Sequence, residues 1–248
     1  MFCTIQEPMN IEKIFLETVD STNSFAKRMK DTFDEESLTI IQAKEQTGGR
    51  GRFSRVWQSP ASLNLLVTFS LFLPASTPDL FRIGQLFALS TFFLLKTLHL
   101  NPKIKWPNDL LIGGKKIGGI LTEMQQMQDQ YQVILGLGLN VNTDKNWLSS
   151  IEQAATSLLV ETKKTWDLEF LTDHLTSFFL ERLSQFQTNG FKPFQKEYIS
   201  QMAFLHETIK CGQLEGTFET LDEDGALILR LKNGSLKKII DSDVSNGQ

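Results

Sequence analysis

The sequence predicts a mixed α/β fold in which helices cover a largely antiparallel or mixed sheet, followed by a small all-β module. Strand-like apolar runs outnumber amphipathic stretches over the first 200 residues, and two of these runs meet at Gly113-Gly114-Lys115, which is typical of a hairpin turn. After about Ser200 only short alternating runs remain, separated by turn sequences. Hairpin-linked strands with helices packed on them define this fold class.

The N-terminal part alternates between short strands and one helix. Ile14–Leu16 is a short apolar strand, and the polar run Asp20–Asn23 offers several N-caps for a helix that extends to Met29. Leu38–Ala43 is rich in residues that favour β-structure. Leu65–Leu73 is a nearly continuous apolar run that ends at a proline, which predicts a buried strand.

The spacing of apolar residues in the middle of the chain predicts two helices and, between them in sequence, three strands. Asp79–Leu100 carries apolar residues at helical spacing, so we expect a core helix there. Ile104–Ile112 and Lys116–Met124 are predicted as the two arms of the hairpin, and Gln132–Asn142 as a further strand. Asp167–Gln187 is amphipathic, and the glycine shortly after it predicts where this helix stops.

A small β module is predicted in the last part of the chain. Asp222–Gly225 and Lys232–Ser235 have strong turn chemistry and separate short alternating runs. This spacing favours a barrel of SH3-like size, so we expect two domains, residues 1–200 and residues 201–248. The predicted strands of the module are Thr208–Cys211, Glu215–Leu221, Ala226–Leu231 and Leu236–Ile240.

Composition limits the classes of function. The chain has 248 residues, of which 41% are hydrophobic and 22% are charged, and this is enough to bury a full core. Its formal net charge of -4 provides no global basic field that would hold a polyanion such as a nucleic acid. Locally clustered cations are therefore expected to bind a small anionic ligand.

The cysteines and the N-terminus indicate a cytoplasmic protein. Cys3 and Cys211 have neither CxxC spacing nor clustered histidines around them, so we expect two reduced thiols and no zinc site. Met1–Asn10 lacks the basic and apolar regions of a signal peptide. Leu86–Leu95, the most apolar stretch of a predicted helix, is too short to span a bilayer. We therefore expect a soluble, cytoplasmic protein.

The most informative stretch is Gln46–Trp57, a polar loop that contains three glycines and three arginines. Glycines let a backbone approach a ligand closely, and each guanidinium offers a rigid fork of donors suited to carboxylate or phosphate. The loop therefore has the chemistry of a lid over an anion. An exposed basic loop, a nucleic-acid contact or a disordered Gly/Arg tract would explain the same residues, and only the remainder of the chain decides among these interpretations.

Two further segments of the sequence have polar residues that could bind a ligand together with the loop. In Lys105–Asp109 a proline interrupts the strand, so Asn108 and Asp109 would point into a cleft. Lys116 opens the return strand, and two nearby glycines leave room beside its ammonium for something other than a side chain, although a solvated hairpin lysine is the simpler interpretation of this residue alone. In Gly136–Asn142 glycines at alternate positions leave one face of a strand without side chains, so a backbone or a flat ligand can pack there.

Together these motifs closely resemble biotin protein ligase, the biotin–[acetyl-CoA-carboxylase] ligase. The resemblance covers nearly the whole chain and includes the Asp224–Leu227 turn of the C-terminal module. Several separate motifs in the right order make it specific, unlike any one of them alone. In chain order, the motifs are Asp20–Asn23, Gln46–Arg52 with Trp57, Lys105–Asp109, Lys116–Leu121 and Gly136–Asn140.

The resemblance implies a class II synthetase-like catalytic domain, a mixed sheet with flanking helices, joined to an SH3-like C-terminal barrel. The implied reaction has two steps: biotin and ATP give biotinyl-5′-AMP and pyrophosphate, and a lysine of the biotin carboxyl carrier protein then takes the biotinyl group. ATP, Mg²⁺ and biotin are the implied cofactors and substrates. Family members often form homodimers, and some bind DNA through an N-terminal helix-turn-helix. Only about a dozen residues precede the first predicted strand, so we expect no DNA binding.

The resemblance also assigns roles to individual residues. Lys116 and Arg52 are implied to be catalytic, and Asp109 to lie close to the site; no metal ligand is implied. Ser54 and Thr47 depart from the family pattern, in which glycine and glutamine are common, and this difference concerns the dynamics of the loop. The implied biotin contacts are Ser21, Thr22, Gln46, Arg50, Gly51, Arg52 and Lys116. The implied ATP contacts are Arg52, Trp57, Asn108, Lys116 and Asn140.

The chemistry of the reaction agrees with these residue types. A carboxylate must approach the α-phosphate of ATP, so negative charge accumulates where Lys116 and the loop arginines would offset it. The nucleophile is already ionised, so the first step needs no general acid or base. The neutral ureido group of biotin has one acceptor and two donors, which Ser21, Thr22 and Gln46 would satisfy in a buried pocket.

Two alternatives compete with this interpretation. Lipoate protein ligase shares the fold and the adenylation chemistry, but the hairpin sequence Trp106-Pro107-Asn108-Asp109 favours the biotin interpretation. A non-enzymatic RNA-binding module would use the Gly/Arg loop and the small barrel. That module would need basic residues interleaved with aromatic ones, whereas the C-terminal module is mixed in charge and lacks an aromatic stacking strip.

Overall fold

A seven-stranded mixed sheet forms the centre of the fold in the computed structural model, which describes residues 9–246. The strand order is β1-β2-β3-β7-β6-β5-β4. The β1 and β2 strands pair in parallel, whereas the pairs β2–β3, β4–β5 and β5–β6 are antiparallel. The strands are β1 (Asn10–Val19), β2 (Ser37–Gln46), β3 (Leu65–Pro74), β4 (Pro102–Lys105), β5 (Asp109–Ile112), β6 (Lys115–Met127) and β7 (Gln130–Leu139). The predicted mixed sheet with flanking helices is confirmed.

Several helices begin at residues with the expected capping chemistry. Ser21 caps the first helix by accepting a hydrogen bond from the Ser24 backbone N–H, and Asp167 caps the longest helix in the same way. Gly190 ends that longest helix, as predicted. The helices are α1 (Thr22–Arg28), α2 (Ile83–Thr97), α3 (Lys145–Leu148), α4 (Leu158–Thr162), α5 (Leu168–Asn189) and α6 (Gln195–Ser200), and short 3₁₀ turns span Lys30–Thr32, Arg52–Ser54, Leu80–Arg82 and Lys192–Phe194.

Several predicted elements differ in extent from those in the structure; the predicted strand Ile14–Leu16, for example, is part of the longer β1. The segment Ile104–Ile112, predicted as one strand, forms the separate antiparallel strands β4 and β5, with Lys105 opposite Asp109. Pro107 has no N–H to donate to a ladder, so the chain turns there, and the Trp106–Pro107 peptide bond is cis. The helix predicted over Asp79–Leu100 is shorter, since a 3₁₀ turn replaces its first residues and α2 ends at Thr97.

The chain forms two compact units, and the first contains the residues up to Ser76 together with Leu121–Gly138. Its core lies where α1 packs against β2 and β3. Ala26 of α1, Ile41 of β2 and Ile134 of β7 are fully buried in one hydrophobic cluster there. This packing fixes the N-terminal end of α1, where the polar run Asp20–Asn23 lies.

The second unit contains Thr77–Ile120 and the chain from Leu139 onwards. Its core joins α2 to α5 through an edge-to-face contact of Phe87 with Phe179, and α2 also packs against β4. The stretch Leu80–Thr97 is long and apolar enough to cross a membrane, but 67% of it is buried inside the protein. This burial is expected of a core helix.

Five short strands form the C-terminal sheet, in the order β11-β10-β9-β8-β12. They are β8 (Thr208–Cys211), β9 (Leu214–Leu221), β10 (Leu227–Leu231), β11 (Leu236–Ile239) and β12 (Val244–Asn246). The predicted small β module is confirmed, and β12 is an additional strand that the sequence did not reveal. Cys211 is a buried free thiol, whose pKa burial raises to about 11, and Cys3 lies outside the described residues.

Candidate active site

The Gly/Arg loop between β2 and β3 folds back on itself as a short irregular hairpin. The Gly51 N–H donates to the Arg55 carbonyl over 2.8 Å, and the Trp57 N–H donates to the Gly49 carbonyl over 2.9 Å. The Arg52 guanidinium lies 4.8 Å from the centre of the Phe53 ring, in cation–π contact. The backbone that carries the three predicted ligand contacts Arg50, Gly51 and Arg52 is therefore held by its own hydrogen bonds.

The predicted biotin contacts outside the loop lie at the start of α1 and the end of β2. The backbone N–H and the hydroxyl of Thr22 both donate to Oε1 of Gln46, over 2.7 and 3.0 Å. The Thr68 hydroxyl lies 2.7 Å from the Thr22 hydroxyl. Ser21 is buried and caps α1. The structure therefore brings Ser21, Thr22 and Gln46 together, with the Gln46 amide oriented by Thr22.

Arg50 takes part in a charge cluster that the sequence did not reveal. Its Nη2 lies 3.3 Å from Oε2 of Glu123 and 3.1 Å from the Ser24 hydroxyl. Glu123 is 19% exposed and also binds the Lys27 ammonium at 2.6 Å and the Asn23 side-chain amide at 3.0 Å. Burial opposes ionisation of Glu123, but the hydrogen bonds from Lys27 and Asn23 outweigh it and hold the pKa of this carboxyl below its ordinary value.

The glycines of β7 leave room for two flat side chains. A Cβ atom at Gly136 would overlap the side-chain amide of Asn23, and a Cβ at Gly138 would overlap the indole of Trp57. Side chains of the protein itself, and not a backbone or a flat ligand as predicted, therefore pack on this strand face. The half-buried Trp57 ring, predicted to contact ATP, is placed by its packing on Gly138.

In the second unit, Lys116 forms an ion pair with Asp109, at 2.7 Å between Nζ and Oδ1. The side chains are only 20% and 15% exposed, so both charges are largely shielded from water. Gly119 lies opposite Asp109 across β5 and β6, and a Cβ there would press on both charged groups. The glycine therefore makes space for the pair itself, and Lys116 is not a solvated hairpin lysine like the exposed Lys115.

The two predicted asparagine contacts stabilise the backbone around this pair. The Asn108 amide donates to the Ile120 carbonyl, and the Ile120 N–H returns a bond to the Asn108 carbonyl over 2.9 Å. The buried Asn140 amide donates to the Thr156 carbonyl over 3.0 Å. The Thr156 N–H in turn donates to the Lys116 carbonyl over 2.9 Å. Asn140 thus braces the segment that holds the backbone of Lys116.

Within residues 9–246, no three histidine, cysteine, aspartate or glutamate side chains form a group that could hold a metal ion. Asp109 is the carboxylate next to Lys116. The cationic and amide side chains described above in each unit suit anions and neutral polar ligands. Such a donor set is typical of an enzyme that activates a carboxylate with ATP.

Comparison with known proteins identifies the family. Residues 15–140 match the Biotin/lipoate A/B protein ligase family, and residues 208–247 match the Biotin protein ligase C terminal domain. The chain belongs to the Biotin/lipoate A/B protein ligase family. The resemblance noted in the sequence is confirmed.

Individual relatives are similar over most of their length. The chain is 33% identical to the bifunctional ligase/repressor BirA of Bacillus subtilis, over 97% of this chain and 76% of the relative. It is 33% identical to the biotin–[acetyl-CoA-carboxylase] ligase of Paracoccus denitrificans, over 87% and 92%. Biotin protein ligase from Aquifex aeolicus in complex with biotin and ATP matches with a TM-score of 0.76 and 30% identity, over 94% of this chain and 97% of that chain.

Proposed function

We propose that this chain is an ATP-dependent biotin protein ligase that makes biotinyl-5′-AMP and transfers the biotinyl group to a lysine of a biotin carboxyl carrier protein. The observation that carries the proposal is the match, along nearly the whole chain, to the Aquifex aeolicus ligase bound to biotin and ATP. The names of the relatives favour biotin over the lipoate alternative, and an enzyme over a non-enzymatic RNA-binding module.

In the first step a carboxylate oxygen of biotin attacks the α-phosphorus of ATP. The new P–O bond forms as the bond to the bridging oxygen breaks, and pyrophosphate leaves with that electron pair. We assign Lys116 and Arg52 to the charge that develops on the phosphate oxygens, because a preorganised cation in a partly dehydrated site stabilises such charge strongly. The pair with Asp109 holds the Lys116 ammonium in place before ATP binds.

We assign the binding of biotin to Ser21, Thr22, Gln46 and the loop residues Arg50 and Gly51. Thr22 already occupies Oε1 of Gln46, so the side-chain NH₂ of Gln46 is the group directed to a ligand acceptor such as the ureido carbonyl. The hydroxyl oxygens of Ser21 and Thr22 would accept from the ureido N–H groups. Arg50 would leave its contact with Glu123 when it binds a ligand anion.

The remaining assignments concern ATP. Trp57, held on Gly138, offers an indole face for the adenine, and Asn108 and Asn140 are the predicted polar contacts. Mg²⁺ in such sites is bound by one or two carboxylates plus substrate phosphates. A Mg²⁺ ion that arrives with ATP would be held by the polyphosphate and would neutralise its charge.

In the second step the neutral ε-amine of the carrier lysine attacks the carbonyl carbon of the mixed anhydride. An amide bond forms, the amine loses a proton, and AMP leaves with the electrons of the C–O bond. Because the anhydride hydrolyses in water, we assign the Gly/Arg loop to covering it between the two steps.

Homodimer formation, absence of DNA binding, a cytoplasmic location and a domain boundary at residues 200/201 stay predictions.

The direct test is a pyrophosphate-release assay with purified protein, ATP and biotin, followed by addition of a carrier domain and mass spectrometry of the carrier. We expect pyrophosphate release that depends on biotin, and a mass increase of one biotinyl group on the carrier. A parallel incubation with lipoate is the control. Modification with lipoate and not with biotin would contradict the proposal in favour of the lipoate alternative.

A further inference from the structure

The turn between β9 and β10, Asp222–Gly225, is held by three side chains from outside the C-terminal sheet. Nη1 of Arg82 donates to the Glu223 carbonyl over 2.6 Å. Nε2 of Gln85 and the indole Nε1 of Trp106 both donate to the Gly225 carbonyl, over 3.1 and 3.0 Å. The carbonyls of one tight turn therefore receive three hydrogen bonds from α2, the 3₁₀ turn before it, and the β4–β5 turn.

This arrangement is buried and well supported. Arg82 is 4% exposed and Trp106 is 2% exposed. The Arg82 guanidinium lies 4.1 Å from the centre of the Phe191 ring, and its Nε donates to Oε1 of Gln85 over 2.9 Å. Polar groups with so little access to water cost free energy unless they are hydrogen-bonded. The turn therefore accepts hydrogen bonds from the buried side chains of Arg82 and Trp106, and Nη1 of Arg82 also donates to Oε1 of Gln195 over 3.2 Å.

The turn itself has a fixed conformation. Oδ1 of Asp222 accepts hydrogen bonds from the backbone N–H groups of Asp224 and Ala226, over 3.0 and 2.9 Å. Gly225 has a φ of +80°, and a side chain there would overlap the Gln85 amide. The turn therefore presents a rigid carbonyl surface to Trp106 and Gln85.

Trp106 connects this turn to the catalytic pair. It lies in the β4–β5 turn, two residues before Asn108, whose carbonyl and amide bond to Ile120 of β6. Asp109 follows directly and binds Lys116. The strand before Trp106 is also held, because the Ile104 N–H donates to the Gln201 carbonyl over 3.0 Å and the Ala203 N–H donates to the Ile104 carbonyl over 2.7 Å.

We propose that the Asp222–Gly225 turn of the C-terminal sheet positions Lys116 for adenylation, acting through Trp106 and the β4–β5 turn. This inference rests on the proposed function and assigns the C-terminal module a part in the first chemical step. Trp106 and Gln85 are positioning residues, since they act on the lysine through the hairpin. Loosening the turn lets Asp109 and Lys116 move. Displacements of this kind lower the rate of the chemical step more than they lower the affinity for the substrate.

The variant that tests this is Trp106→Phe, which keeps an aromatic ring and removes the indole N–H that reaches Gly225. Its matched control is Trp166→Phe, because the Trp166 Nε1 also donates one hydrogen bond, over 3.0 Å, to the Thr162 hydroxyl far from the β4–β5 turn in sequence. Loss of one hydrogen bond of this kind corresponds to roughly a tenfold change in an equilibrium. We therefore expect Trp106→Phe to lower kcat for pyrophosphate release about tenfold, with the KM for biotin nearly unchanged.

A second measurement does not depend on activity. Hydrogen–deuterium exchange of the peptide that spans residues 105–120 is expected to be faster in Trp106→Phe and in Gln85→Leu than in wild type and in Trp166→Phe. The thermal midpoints of both tryptophan variants are compared first, to show that each is folded at the assay temperature.

The outcomes separate the two proposals. Wild-type protein that releases no pyrophosphate with biotin overturns the proposed function, and the exchange measurement then still decides whether the turn holds the hairpin. Active wild type with an unchanged kcat in folded Trp106→Phe overturns the positioning role. So does an equal loss in Trp166→Phe, because that result would show general destabilisation. Faster exchange together with a kcat loss confined to Trp106→Phe and Gln85→Leu supports the inference.

Discussion

At the scale of single residues, the environment of Lys116 explains why this lysine differs from its neighbour. Both lysines begin β6, but Lys115 is exposed, whereas Lys116 is largely buried against Asp109. A largely buried ion pair restricts the ammonium to one position. A fixed cation is what stabilisation of a developing phosphate charge requires, because a mobile one would have to reorganise during the reaction.

Replacing Lys116 with alanine is expected to slow adenylate formation strongly and also to lower the free energy of unfolding, because Asp109 loses its partner in a largely buried ion pair. Loss of one preorganised charge at the reacting phosphate costs about 3 kcal/mol, a reduction in kcat of roughly a hundredfold or more. The measurement is biotin-dependent pyrophosphate release, with circular dichroism to show that the variant is folded. Lys115→Ala is the matched control and is expected to keep wild-type activity. Near-wild-type release by Lys116→Ala would refute the catalytic assignment.

The sequence predicted some residues of the candidate site better than others. Lys116 and Gly119 are neighbours in one motif, so their spacing indicated free space beside the lysine, but the prediction that no side chain lies there was wrong because Asp109 pairs with Lys116. Glu123 could not be recognised in this way, because its partners Lys27 and Arg50 are 96 and 73 positions away in the sequence. Contacts across such separations depend on strand pairing that local patterns do not determine.

At the scale of elements, the Gly/Arg loop has hydrogen bonds within its own backbone, but several of its side chains make few contacts that would stabilise it. Phe53 and Val56 are 56% and 71% exposed, so neither side chain anchors the loop in the hydrophobic core. Arg50 is held to Glu123 only by a partly exposed ion pair, and such pairs contribute little stability. These observations support a loop that becomes more ordered when a ligand binds.

Biotin is therefore expected to protect the loop from proteolysis. Trypsin should cleave after Arg50, Arg52 or Arg55 in the free protein, and saturating biotin with ATP should slow this cleavage, because bound ligand offsets the entropy of the glycine-rich backbone. Cleavage sites are identified by mass spectrometry, and cleavage elsewhere in the chain is the internal control. Equal rates at the loop with and without ligand would argue against ligand-induced ordering.

The β7 strand allows a second test at this scale. Gly138→Ala is expected to displace the Trp57 indole, since a Cβ at this position would overlap the ring. If Trp57 covers the adenine, the KM for ATP should rise severalfold, while biotin binding measured by calorimetry without ATP changes less. Trp57→Ala should have a similar effect, and combining the two substitutions should add little further loss. Additive losses would show that Gly138 acts through another group.

The elements themselves were predicted with uneven success, for physical reasons. Strands with continuous apolar character, such as β3, and a helix with clear caps, such as α5, have strong local signals. The short helices α3, α4 and α6 were missed because four to six residues carry too little periodicity. The β4–β5 turn was recognised as a strand break at Pro107, but a local pattern does not show that the chain reverses there.

At the scale of the whole molecule, the sequence predicted the class of fold but not the order of its strands. Apolar runs and hairpin turns predicted a mixed sheet and a separate β module. The order β1-β2-β3-β7-β6-β5-β4 places β7 next to β3, and β1 beside β2 in parallel. Both pairings join segments that only tertiary packing brings together, so local sequence patterns did not determine the strand order.

Acid is expected to destabilise the whole protein, because several carboxylates are better hydrogen-bonded when folded. The bidentate hydrogen bonds from Arg28 lower the pKa of Asp20 from 3.8 to about 2. At Glu123 and Asp222 burial raises the pKa, but hydrogen bonds, chiefly from Lys27 and Lys238 respectively, outweigh it and leave both values below the ordinary ones. A carboxyl whose folded pKa is depressed stabilises the protein above its unfolded pKa, and that contribution is lost as pH falls through the folded pKa.

The free energy of unfolding should therefore be nearly constant from neutral pH down to about 5 and should decrease progressively between about pH 4.5 and 2. Urea unfolding at pH 6, 4 and 3, followed by circular dichroism, measures this decrease. Glu123→Gln is expected to be less stable than wild type at pH 6, because Lys27 and Arg50 lose their anionic partner. It should also lose less stability between pH 6 and 3, since the substituted side chain does not titrate. An acid dependence as steep in Glu123→Gln as in wild type would show that Glu123 does not contribute to it.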